Sequence, residues 1–309
     1  MDAGATSLKI VAGMPMFNEE ETIGSVIVST LRHVDMVVCI DDGSSDSSAS
    51  IAEACGAQVI QHRSNRGYGA TMKTLFRHAL ELDADILVIL DSDGQHNPND
   101  IPSVIDPILS GQADFTIGSR FVDGGGGVDM PAYRKLGIKV ITAASNLSSD
   151  LNISDTQSGF RAFSKAALQK LRFDAEGMEL SLEILEDANE KHLRVKEVPT
   201  IIRYDVPKGS NFTALSHGFT VLTWALLSLS QKKPILVLGI PGLGLLATGA
   251  AMGMNAAQDF TTQIDVLIGN GISAIWIGVL GLALMATGIV LQTAQNFLRH
   301  LIVEEFGLD

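Results

Sequence analysis

Short apolar runs at residues 8–14, 35–40, 57–62, 85–90 and 113–118 alternate with stretches whose apolar positions return every three or four residues. Runs of that length read as strands and the periodicity between them as helices, so the alternation predicts a parallel sheet with helices on its faces. The first helix is expected around Ile23, Val26, Ile27 and Thr30, with Asn18 as its cap. Glu19, Glu20 and Glu21 would then lie in its first turn, where the helix dipole favours anions. The rhythm breaks over residues 122–158. Four consecutive glycines, Gly124 to Gly127, predict a mobile loop, and a helix follows over 133–147. A strand over 195–203 closes the series.

Beyond residue 210 the pattern changes character. Phe212, Leu215, Phe219, Leu222, Leu226 and Leu229 recur at three and four residues and form one apolar stripe. Such a stripe fits an amphipathic helix lying on a bilayer, and by periodicity alone it fits a helix packed on a soluble core equally well. Residues 235–254 and 272–291 are two apolar runs without Asp, Glu, Lys or Arg, each long enough to cross a hydrocarbon layer of about 30 Å as a helix. Lys232 and Lys233 precede the first run and Arg299 follows the second, whereas 255–271 carries Asp259 and Asp265 but no base. That asymmetry predicts both flanks on the cytoplasmic side. Residues 1–13 have no basic region, so no secretory signal is expected. The expected organisation is a cytoplasmic catalytic domain over 1–210, an amphipathic interfacial segment over 211–233 and a two-span anchor in the cell membrane over 234–309.

Composition sharpens this in two respects. The 309 residues are 46% hydrophobic with mean hydropathy +0.25, high for a purely soluble protein. The formal charge is −13 and no basic block interrupts it, which excludes nucleic acid as a partner. Cys39 and Cys55 lack metal-ligand spacing and read as small buried hydrophobes.

The chemistry concentrates at strand ends. The run Ile86-Leu87-Val88-Ile89-Leu90 terminates in Asp91-Ser92-Asp93-Gly94-Gln95-His96, which places two carboxylates at the carboxyl end of a doubly buried strand. Open α/β sheets bind ligands there. Paired carboxylates repel unless a cation lies between them, and hard oxygen donors beside phosphate oxygens suit Mg²⁺ or Mn²⁺. Pro15-Met16-Phe17-Asn18-Glu19 follows the first strand, Asp41-Asp42-Gly43-Ser44 the second and Asn65-Arg66-Gly67-Tyr68-Gly69 the third. Asp41 and Asp42 also have the composition of an Asx turn.

Together with Gly118-Ser119-Arg120, Asp155-Thr156-Gln157-Ser158-Gly159-Phe160-Arg161 and Glu197-Val198-Pro199, this ordered set resembles the family 2 glycosyltransferases over residues 8–211. Within them it looks most like the dolichyl-phosphate mannose and glucose synthases. The resemblance implies a GT-A-like, Rossmann-type catalytic domain of α/β class with a mostly parallel sheet. It implies Pro15, Phe17, Glu19, Asp42 and Asn65 as nucleotide-binding positions, Asp91, Asp93 and Gln95 as the metal and diphosphate motif with Ser92 beside them, and Arg120 and Arg203 as phosphate-binding positions. Asp93, Arg120 and Arg203 are the expected catalytic set. The family's basic residue after Gly-Ser is replaced here by Asn211, so Lys208, ahead of Gly209, carries over less directly.

The implied reaction is inverting transfer of a hexose from a nucleotide-diphosphate sugar to a polyprenyl phosphate such as dolichyl phosphate. A phosphate monoester, with a second pKa of about 6, arrives ionised and needs no general base. It needs cations instead, and Arg120, Arg134, Arg161, Arg203 and Lys208 are the candidates. Two alternatives stay open: transfer to a hydroxyl of a lipid-linked glycan, with Asp155 as base, and a catalytically silent membrane subunit. The sequence leaves sugar, nucleotide base and oligomeric state open, a homo-oligomer included.

Overall fold

The computed structural model describes residues 8–149, 152–177, 179–204, 223, 227, 229–258 and 264–306. The chain parts into two compact units, Met1–Thr223 and Trp224–Asp309. In the first, strands β1 (Ile10–Met16), β2 (Met36–Asp41), β3 (Gln58–Gln61), β4 (Ile86–Ile89) and β5 (Phe115–Ser119) alternate with helices α1 (Ile23–Thr30), α2 (Ser48–Ala54), α3 (Tyr68–Glu81) and α4 (Ile101–Leu109). There follow β6 (Gly126–Val128), α5 (Ala132–Ser149), β7 (Arg161–Ser164), α6 (Lys165–Lys170), α7 (Leu180–Glu190), β8 (Val195–Pro199) and β9 (Ile201–Arg203).

The main sheet has the order β3-β2-β1-β4-β7-β5-β8, parallel throughout except for β7, which runs antiparallel to both β4 and β5. Its core is double because β1, β2 and β4 are buried on both faces. Leu87 and Ile89 of β4 pack with Leu75 and Phe76 of α3 and with Leu180 and Ile184 of α7. Ile86, Val88 and Leu90 pack on the other face with Ile23 and Ile27 of α1 and Val104 of α4. Strand alternation therefore accounts for the unbroken apolar run: both parities face a core.

Three local expectations are corrected and one strand is new. Asn18 does not cap α1; its backbone turns through φ 57°, its Oδ1 accepts the Ser45 N–H at 2.8 Å, and Thr22 occupies the cap position. The glycine run is not simply a loop: Gly126–Val128 pairs in parallel with Ile201–Arg203. A side chain at Gly125 would fall 2.3 Å from the Ser119 carbonyl, so the run lets backbone approach backbone. The single strand expected over 195–203 is two, broken at Thr200, with the second half leaving the main sheet for β6. The antiparallel β7 goes unread in the sequence because a four-residue strand that opens on an arginine lacks an apolar signal.

In the second unit a π-helical turn, Ile235–Gly239, runs into α8 (Ile240–Gln258), and α9 (Ile264–Phe306) follows. Ile235–Ala257 and Asn270–Phe297 are long and apolar enough to cross a membrane, with mean hydropathy 2.0 and 2.3. The two helices touch through glycines. A methyl group on Gly242 would lie 2.7 Å from the Gly281 carbonyl, and one on Gly281 would lie 2.6 Å from the Gly242 carbonyl. Backbone contact of this kind is how membrane helices associate where no hydrophobic driving force acts between them. Trp276 and Val290 point outward, 69% and 65% exposed, as side chains facing lipid would. The interfacial segment expected over 211–233 lies mostly outside the described residues.

A side chain at Gly13, in the middle of β1, would meet the fully buried Leu75 at 2.4 Å. Gly13→Ala is expected to cost about 1–3 kcal/mol through overpacking. Combined with Leu75→Val it should cost less than the two changes summed, a non-additivity that thermal unfolding measures directly.

Candidate active site

The carboxyl ends of β1, β2, β3 and β4 meet at one rim, and β7, running the other way, delivers the loop that precedes it to the same place. Interlocking hydrogen bonds fix the rim. The N–H groups of Asn18 and Glu19 donate to the hydroxyls of Ser44 and Ser48 at 2.9 and 2.7 Å, which clasps the loop after β1 to the loop after β2. Ser92 donates to the Pro15 carbonyl at 2.8 Å while its own carbonyl accepts from Thr22 at 2.8 Å. Ser92 and Pro15 therefore join the ends of β4 and β1. Phe17 stands at the rim, 36% exposed.

The two aspartates after β2 divide the work. Asp41 makes the Asx turn, its Oδ1 accepting from the Ser44 N–H at 3.0 Å. Asp42 is buried and accepts from His62 Nδ1 at 2.7 Å and from the N–H groups of Arg66 and Gly67 at 3.0 and 2.8 Å. Three donors leave its carboxylate with little spare acceptor capacity. Its evident task in this state is to hold the Asn65 loop, where Asn65 Oδ1 also accepts from Gly67 at 3.1 Å.

Asp91 and Asp93 stand beyond β4 with Glu19 close by. Burial and the neighbouring Asp91 push Asp93 up to about 6; burial also raises Asp91 to about 6, against the pull of Arg120, Arg161 and Arg134. Burial, with the charges of Asp93 and Asp91, raises Glu19 to about 7. The three oppose one another's ionisation, and hard oxygen donors in that relation fit a divalent cation. Among the described residues no cluster of three or more His, Cys, Asp or Glu forms a complete ligand set. A cation held by one or two of these carboxylates would take its remaining ligands from diphosphate and water, a common arrangement for Mg²⁺.

Asp91 faces a cavity lined also by Tyr68, Gln95, His96, Arg120, Arg134 and Gln157. Arg120, on the same cavity, belongs to a buried ion pair. Arg120 donates through Nε and a terminal nitrogen to the two Asp155 oxygens, both at 2.6 Å, and through its other terminal nitrogen to the Tyr204 hydroxyl. Burial works against the Arg120 charge, but the Asp155 contacts outweigh it and raise its pKa. Asp155 is in turn fixed by Glu197, which accepts from the N–H groups of Asp155 and Ser154 at 3.0 and 2.8 Å and from the Ser154 hydroxyl at 2.7 Å. Arg134 lies over the Tyr204 ring at 4.8 Å.

The expected residues thus fall into three groups. Asp91, Gln95, Arg120 and Arg134 share the cavity; Asp93 and Glu19 flank it; Pro15, Asp42, Ser92 and Asn65 shape the rim. Arg161 is buried and donates to the carbonyls of Ser158, Thr156 and Ser181, so it ties the loop before β7 to α7. Arg203 is exposed, its N–H donating to the Gln95 carbonyl at 3.0 Å. Lys208 lies outside the described residues. Sequence reasoning assigned no role to His96, Glu197 or Tyr204. The first two sit inside motifs already noted, but their partners are visible only in three dimensions.

A carboxyl group whose pKa is raised on folding destabilises the folded state once pH exceeds its unfolded value, and the penalty is complete above the folded one. For Asp93 that window runs from about 4 to about 6. Asp93→Asn should therefore raise the thermal midpoint of the metal-free, nucleotide-free protein at pH 7.5 and leave it unchanged at pH 4. An equal gain at both values would show that electrostatic strain is not the cause.

The sequence profile described as Glycosyl transferase family 2 matches residues 12–172. The chain is 33% identical over 243 residues to a UDP-N-acetylglucosamine–dolichyl-phosphate N-acetylglucosaminyltransferase of Methanococcus voltae, covering 71% of this chain and 95% of that one. It is 28% identical over 228 residues to a polyprenol monophosphomannose synthase of Mycolicibacterium smegmatis, covering 69% and 85%. In fold it is similar to glucosyl-3-phosphoglycerate synthase of Mycobacterium tuberculosis, solved with Mn²⁺ and UDP, with TM-score 0.57, 23% identity and coverage of 73% and 80%. The profile runs from β1 through β7 and includes the segments after β4 and β5 and before β7 that supply most of the cavity lining, and on that evidence the chain belongs to glycosyl transferase family 2.

Proposed function

We propose that this glycosyltransferase moves one hexose, with inversion, from a nucleotide-diphosphate sugar to a polyprenyl phosphate of the dolichyl type, using Mg²⁺ or Mn²⁺. The observation that carries the reading is the polarity of the cavity. Asp91, Arg120 and Arg134 line it together, and no free base lines it beside them among the described residues. Asp155, the one motif candidate for a base, is fully buried and bound by Arg120 through both oxygens. His96 is held neutral by burial, which lowers its pKa to about 4, and its Nδ1 already accepts the Asp91 N–H at 3.0 Å. An acceptor here must bring its own ionised oxygen, and a phosphate monoester does.

In the proposed step an oxygen of the acceptor phosphate forms a bond to the anomeric carbon as the bond from that carbon to the diphosphate breaks, and the electron pair leaves with the diphosphate. The rim after β1, β2 and β3 would hold the nucleoside through Pro15, Phe17, Glu19 and Asn65, with Asp42 offering the acceptor site that His62, Arg66 and Gly67 leave it. Asp91, Asp93 and Gln95 would hold the cation, whose charge offsets that of the departing diphosphate. Arg120, kept in place by Asp155 and Glu197, would orient the acceptor phosphate with Arg134, Arg203 and Lys208.

Two features favour a lipid acceptor. Of the relatives named above, one transfers to dolichyl phosphate and the other makes polyprenol monophosphomannose, by their names. On α5, Tyr133, Leu136, Val140 and Leu147 form one exposed apolar stripe beside Lys135 and Lys139, in a chain that is otherwise acidic. That combination suits an anionic lipid surface. The basic flanks of the two spans further favour a catalytic domain on the cytoplasmic side.

Chelation should abolish transfer and Mn²⁺ or Mg²⁺ restore it, while Asp91→Asn should lower turnover at least about 100-fold, the scale of losing a catalytic electrostatic contact. Mass spectrometry of the lipid product is expected to show one hexose on one phosphate. Activity that survives exhaustive chelation would remove the metal, and a hexose added to an existing glycan would replace this reading with the extending transferase.

Topology has its own test. A cysteine introduced at Asn270 should react with an impermeant reagent applied to intact cells, and one at Glu305 only after permeabilisation. The reverse pattern would place the catalytic domain outside, away from cytosolic nucleotide sugars.

A further inference from the structure

Two neutral hydrogen-bond donors in the cavity have no acceptor among the described residues. The first is His96. Its Nδ1 accepts the backbone N–H of Asp91 at 3.0 Å, and since an N–H can only donate, the ring proton must sit on Nε2. The ring is packed against Phe160 with centroids 5.2 Å apart, which fixes its plane. Nε2 has no hydrogen-bond partner among the described residues, and the ring lines the cavity. The second donor is Gln157, whose side-chain nitrogen is buried without a partner while the residue lines the same cavity. An orphaned buried donor such as the Gln157 nitrogen costs about 1–3 kcal/mol, and a second unpaired donor, His96 Nε2, in the same cavity points to a ligand that supplies acceptor oxygens.

The chemistry of the pair says which oxygens. Charge for phosphate groups is already at hand: the carboxylates of Asp91 and, beside it, Asp93 for a cation-bound diphosphate, the guanidinium groups of Arg120 and Arg134 for an acceptor phosphate. Neutral, rigidly oriented donors in the same cavity suit hydroxyls, and the sugar being transferred is the part of the reactants that brings hydroxyls between the two phosphates.

We infer that His96 Nε2–H and the Gln157 side-chain amide hydrogen-bond hydroxyl groups of the transferred hexose and select it. The inference rests on the hexosyl-transfer reading above and adds to it the residues that recognise the sugar. Neither group takes or gives a proton in the reaction. Both act by position, and a sugar lacking the matching hydroxyl leaves a buried donor unpaired in the transition state.

The informative variant is His96→Asn. The asparagine Oδ1 can take the place of Nδ1 and keep the Asp91 N–H bonded, while nothing in the shorter side chain reaches where Nε2 was. Full-length protein in lipid nanodiscs is assayed with polyprenyl phosphate, a panel of nucleotide-diphosphate hexoses and their monodeoxy analogues; GDP and UDP titrations check the nucleotide site. His96→Asn is expected to bind the nucleotide and polyprenyl phosphate as the wild type does, to lose roughly 5- to 150-fold in kcat/KM with the preferred hexose, and to lose discrimination against one deoxy analogue. Gln157→Ala should relax discrimination at a different hydroxyl. A His96→Asn protein that keeps wild-type kcat/KM and wild-type discrimination would overturn the assignment. A wild type that makes hexosyl-phosphate lipid from none of the donors would overturn the transfer reading itself, and the two failures are told apart by the wild-type lane alone.

Discussion

The ionisation of Glu19, Asp91 and Asp93 against burial and against one another is the constraint around which the catalytic unit is arranged. Carboxylates in this relation separate or protonate unless the surrounding fold over-determines their positions. Here it does. Asp91 and Asp93 follow β4, whose side chains are buried on both faces, and the Ser92 bridge to Pro15 and Thr22 locks the turn between them. Glu19 is held through its N–H by Ser48. The rigidity of the doubly packed sheet is what allows charge to be stored at its edge, and a cation with a diphosphate is the ligand that would relieve it.

Arg120 poses the converse problem, a positive charge held in a buried place. A buried ion pair recovers its desolvation cost only where the geometry is good and the remaining polar atoms are satisfied. Arg120 and Asp155 meet both conditions: two contacts of 2.6 Å join the groups, and Glu197 and Tyr204 anchor the pair from either side. The antiparallel β7 makes this possible. Because β7 begins at the rim where the other strands end, the loop of Thr156, Gln157 and Ser158 is carried to the cavity that Asp91, Arg120 and Arg134 also line. A sheet parallel throughout would have left that loop on the far side.

The second unit follows a different logic. Its helices are apolar all round, with large side chains outward and glycines inward, and their contact is backbone against backbone. In water such a hairpin would expose Trp276, Leu280 and Val290 at great cost. In lipid the same surface costs nothing, and only close packing between the helices remains to hold them together.

Much of this was legible in the sequence, for reasons that can be named. The strands β1 to β5 announce themselves because a doubly buried strand must be apolar at every position, and the two spans because a hydrocarbon layer tolerates no charge over its thickness. Asp91 and Asp93 stand out because an apolar run seldom ends in paired acids without a ligand to hold. The rest depends on long-range pairing, which leaves no periodic trace. Nothing in the order of residues says that Asp155 would close on Arg120 and so cease to be a base, that Asp42 would be taken up by the Arg66 and Gly67 N–H groups, or that two of the four glycines would enter a strand against Ile201–Arg203. Nor does it say that the Asp91 N–H would settle the tautomer of His96. Sequence determined which segments must be buried and which must meet lipid, since burial is a property of composition and period. Tertiary structure alone decided which polar groups are consumed by one another and which remain for a ligand, since each hydrogen bond is a matter of distance and direction.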